Sequence, residues 1–314
     1  MVTDELIAGD TYNIEADKHL TQQSLGQRRL YHELLLVLVT IIWGSTFLLV
    51  KNTVKLSGPF TFLAICYGFG TLTLALIFRK RLLRITRAEL ISGMFIGIFL
   101  FTGYACQTIG LQYTPVSKAG FITGMSVPLV PIFSFFFLRQ KPALAAIVGI
   151  SLSIIGLTLI SIDNEFNFVF GPGEVLILCC AVAFALHIVC ISKFAPNANV
   201  TNLAIVQLAL TSLLSLIFMP IAHEAFISPP LIVWGAGLFM GVADIAFCLL
   251  MMNWVQQFIS STRASLFYSL EPMWAALFGY FLAGEVLSIP AWFGCSCILM
   301  GMVVGVLRLP GRKA

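Results

Sequence analysis

GLQYTPVSKAGFITGMSVPLVPIFSFFFLRQKP occupies residues 110–142. From Ala119 to Leu138 it has the length and apolar character of one membrane helix, which needs about 20 such residues. Lys118 stands at its entrance, Pro128 and Pro131 near mid-depth, and Arg139 and Lys141 at its far end. The chain repeats much of this at residues 261–285, STRASLFYSLEPMWAALFGYFLAGE. With an offset of 145, Lys118 falls on Arg263, Ala119 on Ala264, Gly149 on Gly294 and Gly156 on Gly301. Pro128 and Pro272 need one slipped residue. The matched residues are few, but the same order of features recurs in two apolar blocks, the mark of an internal repeat.

The composition fits that reading. Of the 314 residues 59% are hydrophobic and only 10% charged, with a mean hydropathy of +0.97. A soluble domain carries about a quarter charged residues. The bilayer must therefore be the solvent for this surface. The net charge of +4 is small and its cations flank apolar runs. Nucleic-acid binding would need them gathered in a solvated patch. The eight cysteines all lie inside apolar runs without Cys-x-x-Cys or zinc spacing, and read as small apolar packing groups.

Residues 1–32 are polar and mixed in charge, and read as a disordered tail. Ten apolar runs follow, at about 34–50, 59–78, 90–111, 119–138, 143–162, 175–191, 203–222, 231–252, 264–282 and 289–307. They do not alternate as barrel strands would, so the expected fold is all-α. If residues 1–32 are cytoplasmic, 15 of the 18 Lys and Arg lie inside and only Lys51, Lys55 and Lys118 outside. That split puts both termini in the cytoplasm. The runs divide five and five about residues 163–173. Five is odd, so the second half, 173–308, enters the membrane inverted relative to the first, 33–162.

Trp43-Gly44-Ser45-Thr46-Phe47, followed by Lys51, resembles the first-helix signature of the EamA-type branch of the drug/metabolite transporter superfamily. Residues 110–114 and 117–124 resemble its fourth-helix entrance, and Ser269-Leu270-Glu271-Pro272 with Gly284-Glu285 its ninth-helix signature. The resemblance implies ten transmembrane helices as two inverted five-helix repeats. It also implies transport of small metabolites, often export, at the cytoplasmic membrane. One departure stands out: Arg139-Gln140-Lys141 occupies the place where the second repeat has Ala283-Gly284-Glu285. The polar tips of the two halves are chemically unlike.

Charges inside a membrane cost roughly 2.5–3.5 kcal/mol even on the lenient insertion scale. Asp244, Glu271 and His187 are therefore candidate substrate or ion ligands, against the alternative of fixed structural hydrogen bonds. Glu271 lies seven residues past Ala264, about 10 Å along a helix. A carboxyl at that depth is protonated, paired or facing a wet cavity, which makes proton coupling an expectation. Tyr104 and Gln107 share one helical face, a candidate polar wall. Trp43, Phe47, Phe121 and Tyr268 are candidates for an aromatic pocket, against a lipid-facing or packing role. Lys118 and Arg263 are candidate entrance or gate residues, against simple snorkelling. Pro128, Pro131 and Pro272 are candidate kinks that open backbone carbonyls. The G-x-x-x-G pairs, such as Gly120–Gly124 and Gly301–Gly305, read as helix packing within the chain, with homodimerisation as the alternative for the last.

The leading expectation is thus a secondary transporter of a small-molecule substrate. No phosphate-cradling loop is present, and neither H-E-x-x-H nor G-x-S-x-G occurs. His19, His32, His187 and His223 are scattered, so neither metal nor cofactor is expected. The alternatives are an intramembrane enzyme, which would need such a motif, and a scaffold subunit, which would not explain buried acids.

Overall fold

The computed structural model describes residues 31–139, 144–160, 162, 170–224 and 229–306. The tail expected at 1–32 falls outside this set except for Tyr31 and His32, which already open the first helix. Among the described residues all elements are helical. They are α1 (Tyr31–Ser57), α2 (Pro59–Ile77), α3 (Arg87–Gly110), α4 (Val116–Gly124), α5 (Ser126–Leu138) and α6 (Leu144–Ile160). The others are α7 (Pro172–Phe194), α8 (Val200–Ile221), α9 (Leu231–Val255), α10 (Ser261–Tyr268), α11 (Glu271–Ala283) and α12 (Ile289–Val306). A single turn, Arg79–Leu82, precedes α3.

Seven stretches are long and apolar enough to cross a membrane: α1, α2, α3, α4–α5 together, α7, α8 and α9. Apolar stretches in α6 (Ile147–Ile160) and α12 (Ile289–Val304) are shorter. The first helix runs beyond the expected 34–50 to Ser57, because Lys51, Asn52 and Lys55 extend it past the apolar run. Large exposed side chains such as Leu76, Leu231 and Phe281 are suited to lipid contact.

The helix expected at 119–138 is broken. α4 ends at Gly124, and Met125 N–H closes a tight bond to Ile122 C=O at 3.0 Å. The cause is Pro128, which has no N–H to give to the carbonyl four residues back, that of Gly124. The same rule breaks the later segment. Pro272 leaves the carbonyl of Tyr268 without its usual donor, and Tyr268 is where α10 ends. Pro131 lies inside α5 without ending it.

The packing pairs exchange when the two halves are exchanged. α4 packs on α11 and α5 on α10; α2 packs on α8 and α6 on α12; α3 on α8 answers α2 on α9. The α6–α12 contact shows this at residue level. A Cβ on Gly156 would lie 2.5 Å from Gly294 C=O, and one on Gly301 would lie 2.5 Å from Gly149 C=O. These four glycines are the ones that the 145-residue offset pairs, and only residues this small let the backbones meet. Gly301 thus packs against α6 of its own chain. Gly44, Gly120 and Gly124 let α1 and α4 close onto α11 at Glu271, Pro272 and Ala275.

Candidate functional site

Both helix breaks border one cavity. Its walls enclose about 830 Å³ of space free of atoms, counting the part that opens to its surroundings. Trp43, Tyr104, Gln107, His187, Asp244, Tyr268 and Glu271 all line it. Tyr268 is the last residue of α10 and Glu271 the first of α11, so the break presents both. Ser126, which opens α5 beyond the other break, lines it as well. Of the four aromatic candidates, Trp43, Phe47 and Tyr268 are on the wall, whereas Phe121 is packed in the core.

Asp244 is 1% exposed, and its Oδ1 has no hydrogen-bond partner. It stands in a π-helical stretch of α9, Met240–Ala246. Such a bulge shifts side-chain direction within a helix and is frequent at functional sites. No hydrogen bond reaches the Glu271 carboxyl among the described residues, and Glu271 shares the cavity wall with Asp244. An unpaired buried carboxyl oxygen calls for an explanation.

His187 begins a polar chain. Its Nε2 lies 2.9 Å from Gln207 Oε1; Gln207 Nε2 donates to Asn253 Oδ1 at 3.0 Å; Asn253 Nδ2 donates to Leu249 C=O at 2.8 Å. The chain ends on a carbonyl, which only accepts. Each amide orientation follows from that end, and His187 must donate from Nε2. The histidine thus ties α7 to α8 and α9. Tyr268 is held by Gln256 Nε2, which donates to its hydroxyl at 3.1 Å, while Ser192 Oγ donates to Gln256 Oε1 at 3.0 Å. Gln107 Nε2 reaches Thr123 Oγ1 at 3.4 Å.

Polar contacts at one end of α4 bring distant parts of the chain together. Glu285 accepts from the Val116 and Ser117 N–H groups at 2.7 and 2.8 Å and from Ser117 Oγ at 2.8 Å. This satisfies donors that a helix N-terminus leaves open, with the charge favoured by the helix dipole. Lys51 Nζ stands 3.9 Å from Glu285 and donates to Thr114 C=O at 2.8 Å. Lys118 does not line the cavity; it pairs with Glu174 at 3.0 Å. The side chain of Arg263, and residues 140–143 including Gln140 and Lys141, lie outside the described residues. Glu224 caps α2 in the same manner, accepting from Phe60 and Thr61 N–H at 2.9 and 2.7 Å. Glu89 receives Asn199 N–H and Asn202 Nδ2 at the start of α8, at 2.9 and 3.0 Å.

The EamA-like transporter family model matches residues 30–162 and again residues 171–307. The chain belongs to this family. Its two matches coincide with the two halves whose contacts exchange. An uncharacterized transporter of Archaeoglobus fulgidus is 32% identical over 297 residues, covering 90% of this chain and 88% of that protein. The uncharacterized transporter YoaV of Bacillus subtilis is 23% identical over 293 residues, covering 88% and 97%. A solved crystal structure at 18% identity shares the fold, with a TM-score of 0.66 over 88% of this chain and 97% of the other. This EamA-like transporter is therefore an integral, multi-pass membrane protein.

Sequence reasoning did not single out Tyr67, Phe184 or Ser126, which also line the cavity. Tyr67 and Phe184 lie in apolar runs where one aromatic looks like another. Glu89, Glu174 and Glu224 were also missed, although Glu89 completes a readable capping box with Thr86 and Glu174 lies in the first turn of a Pro-led helix. All eight cysteines are free; Cys179 is exposed on α7 rather than packed, and Cys106 and Cys297 are half-buried.

Proposed function

We propose that this chain is a secondary transporter that exports small metabolites across the cytoplasmic membrane by alternating access to the cavity. The observation that carries the reading is that two proline-broken helices, one from each half, meet at a cavity holding two acids. Interrupted helices at the junction of two repeats are how transporters build a substrate site within the bilayer. In this reading the seven long stretches, α6, α12 and the α10–α11 pair make ten spans, five in each half. The exchange of α4–α11 with α5–α10 contacts supports an inverted relation between the halves, which lets them rock about the cavity. Asp244 and Glu271 are the groups able to exchange a proton with substrate during the cycle. Trp43, Tyr104, Gln107, His187 and Tyr268 shape the pocket. In this reading Lys118, with Glu174, and Arg263 mark the two opposite entrances. The outward direction follows the habit of the family.

Counterflow tests this reading. The purified full chain is reconstituted in liposomes preloaded with a pool of small amines, amino acids and sugars. Entry of at least one labelled solute against its gradient, abolished in Asp244→Asn plus Glu271→Gln, is the expected result. Liposomes that exchange no solute faster than protein-free ones would end the transporter reading.

A further inference from the structure

The charge inventory of the cavity points to the class of its ligand, given the substrate-site reading above. Two carboxyl groups, Asp244 and Glu271, line it, and no Lys or Arg does so among the described residues. The nearby cations are engaged elsewhere, Lys51 at Thr114 and Glu285, and Lys118 at Glu174. Asp244 lines this space, is 1% exposed and has an unpartnered Oδ1. Leaving such an oxygen unpaired is costly, and a ligand donor or cation removes the cost.

The wall also carries aromatic rings, among aliphatic side chains and neutral polar groups such as Gln107, Ser126 and His187. Trp43 and Tyr268 have ring centroids 5.6 Å apart, Tyr67 and Tyr104 5.4 Å, and Tyr104 and Phe184 5.0 Å. These rings come from α1, α10, α2, α3 and α7, so they surround the space rather than stack along one helix. Aromatic faces attract ammonium groups and also accept an apolar body. An anion would face two acids and ring faces of the same sign. A zwitterion's carboxylate would share the space with two acids and find only neutral donors, such as Gln107 and Tyr104, with no Lys or Arg among the described residues.

We propose that the cavity takes an organic cation: an amine or quaternary ammonium on a small aromatic or aliphatic body, its charged centre beside Asp244 and Glu271 and its apolar part among Trp43, Tyr67, Tyr104 and Tyr268. Two acids against one cation leave a net negative charge, which a proton on one of them removes. Binding and release of the cation are thereby linked to binding and release of a proton.

Equilibrium dialysis of the full chain in detergent micelles tests the class without requiring transport. Four labelled probes of like size are compared at neutral pH: phenethylamine, phenethyl alcohol, 3-phenylpropionate and phenylalanine. The amine should bind saturably and at least about tenfold tighter than each of the others, the range expected for a charge-assisted contact. In Asp244→Asn and in Glu271→Gln, each checked for an unchanged elution profile, that margin should shrink several-fold while the weak binding of the alcohol stays. Binding of the alcohol, the anion or the zwitterion as tight as that of the amine overturns the proposal. So does the absence of saturable amine binding, or a margin that survives both substitutions. Amine binding without any counterflow would uphold the ligand class while removing the transporter reading. Counterflow of another solute that the amine does not inhibit would do the reverse.

Discussion

Glu271 is the residue whose role a small change can isolate. It opens α11 at a helix break and lines the cavity, and its carboxyl accepts no hydrogen bond from the described residues. Glu271→Gln keeps the shape and removes only the titrating group. If Glu271 exchanges protons, the variant should fold and move substrate with a flat rate between about pH 6 and 8, where the parent varies. Counterflow across that range is the measurement, and a parental profile in the variant would leave Glu271 a bracing role beside Pro272. Asp244 and Glu271 were legible in the sequence because a charge inside an apolar run is too costly to be casual. Tyr67 and Phe184 were not, since the sequence does not show which face of a lipid-bathed helix turns inward. For Phe121 the packing alternative holds: it is 3% exposed in the core instead of on the cavity wall.

At the scale of the element, the prolines matter more by position than by number. Pro128 and Pro272 each end a helix four residues upstream, at Gly124 and Tyr268, and both are within the first turn of the next helix. Proline is well tolerated there, since the first turn leaves its N–H groups unbonded anyway. Pro272→Ala should therefore change stability by only about 1 kcal/mol or less. It should also let α10 and α11 join, moving Tyr268 and Glu271 relative to each other and cutting transport several-fold. Thermal unfolding and counterflow rate separate the two effects; a variant with full rate would make the break incidental. The run at 119–138 was readable as apolar and proline-bearing, but the resulting pair of helices was not, because hydropathy is blind to a missing backbone bond.

At the scale of the molecule, the positive-charge split predicts the orientation. A single cysteine at Asn164, in a cysteine-free variant, should react with an impermeant thiol reagent added outside intact cells. Reaction only after permeabilisation would reverse the topology. The carboxylate caps add a polarity of their own. Glu224 on α2 and Glu89 on α8 are exchanged by the two halves, but Glu285 on α4 has Gln140 at the position 145 residues earlier. Hydrogen bonds to an ionised acceptor are roughly twice as strong as neutral ones. The described contact where α5 meets α10 is between two hydroxyls, Ser134 Oγ and Ser261 Oγ at 3.1 Å.

The glycine contact between α6 and α12 also bears on how the protein is made. Leu144, which begins α6, is synthesised 145 residues before Ile289, which begins its partner. At translation speeds of about 5–20 residues per second, α6 waits roughly 7–30 s in the membrane. Its contact face around Gly149 and Gly156 is small and apolar, so lipid covers it at little cost until α12 arrives. The first half is inserted early but packed late, when the nascent chain supplies the mirror-related helix.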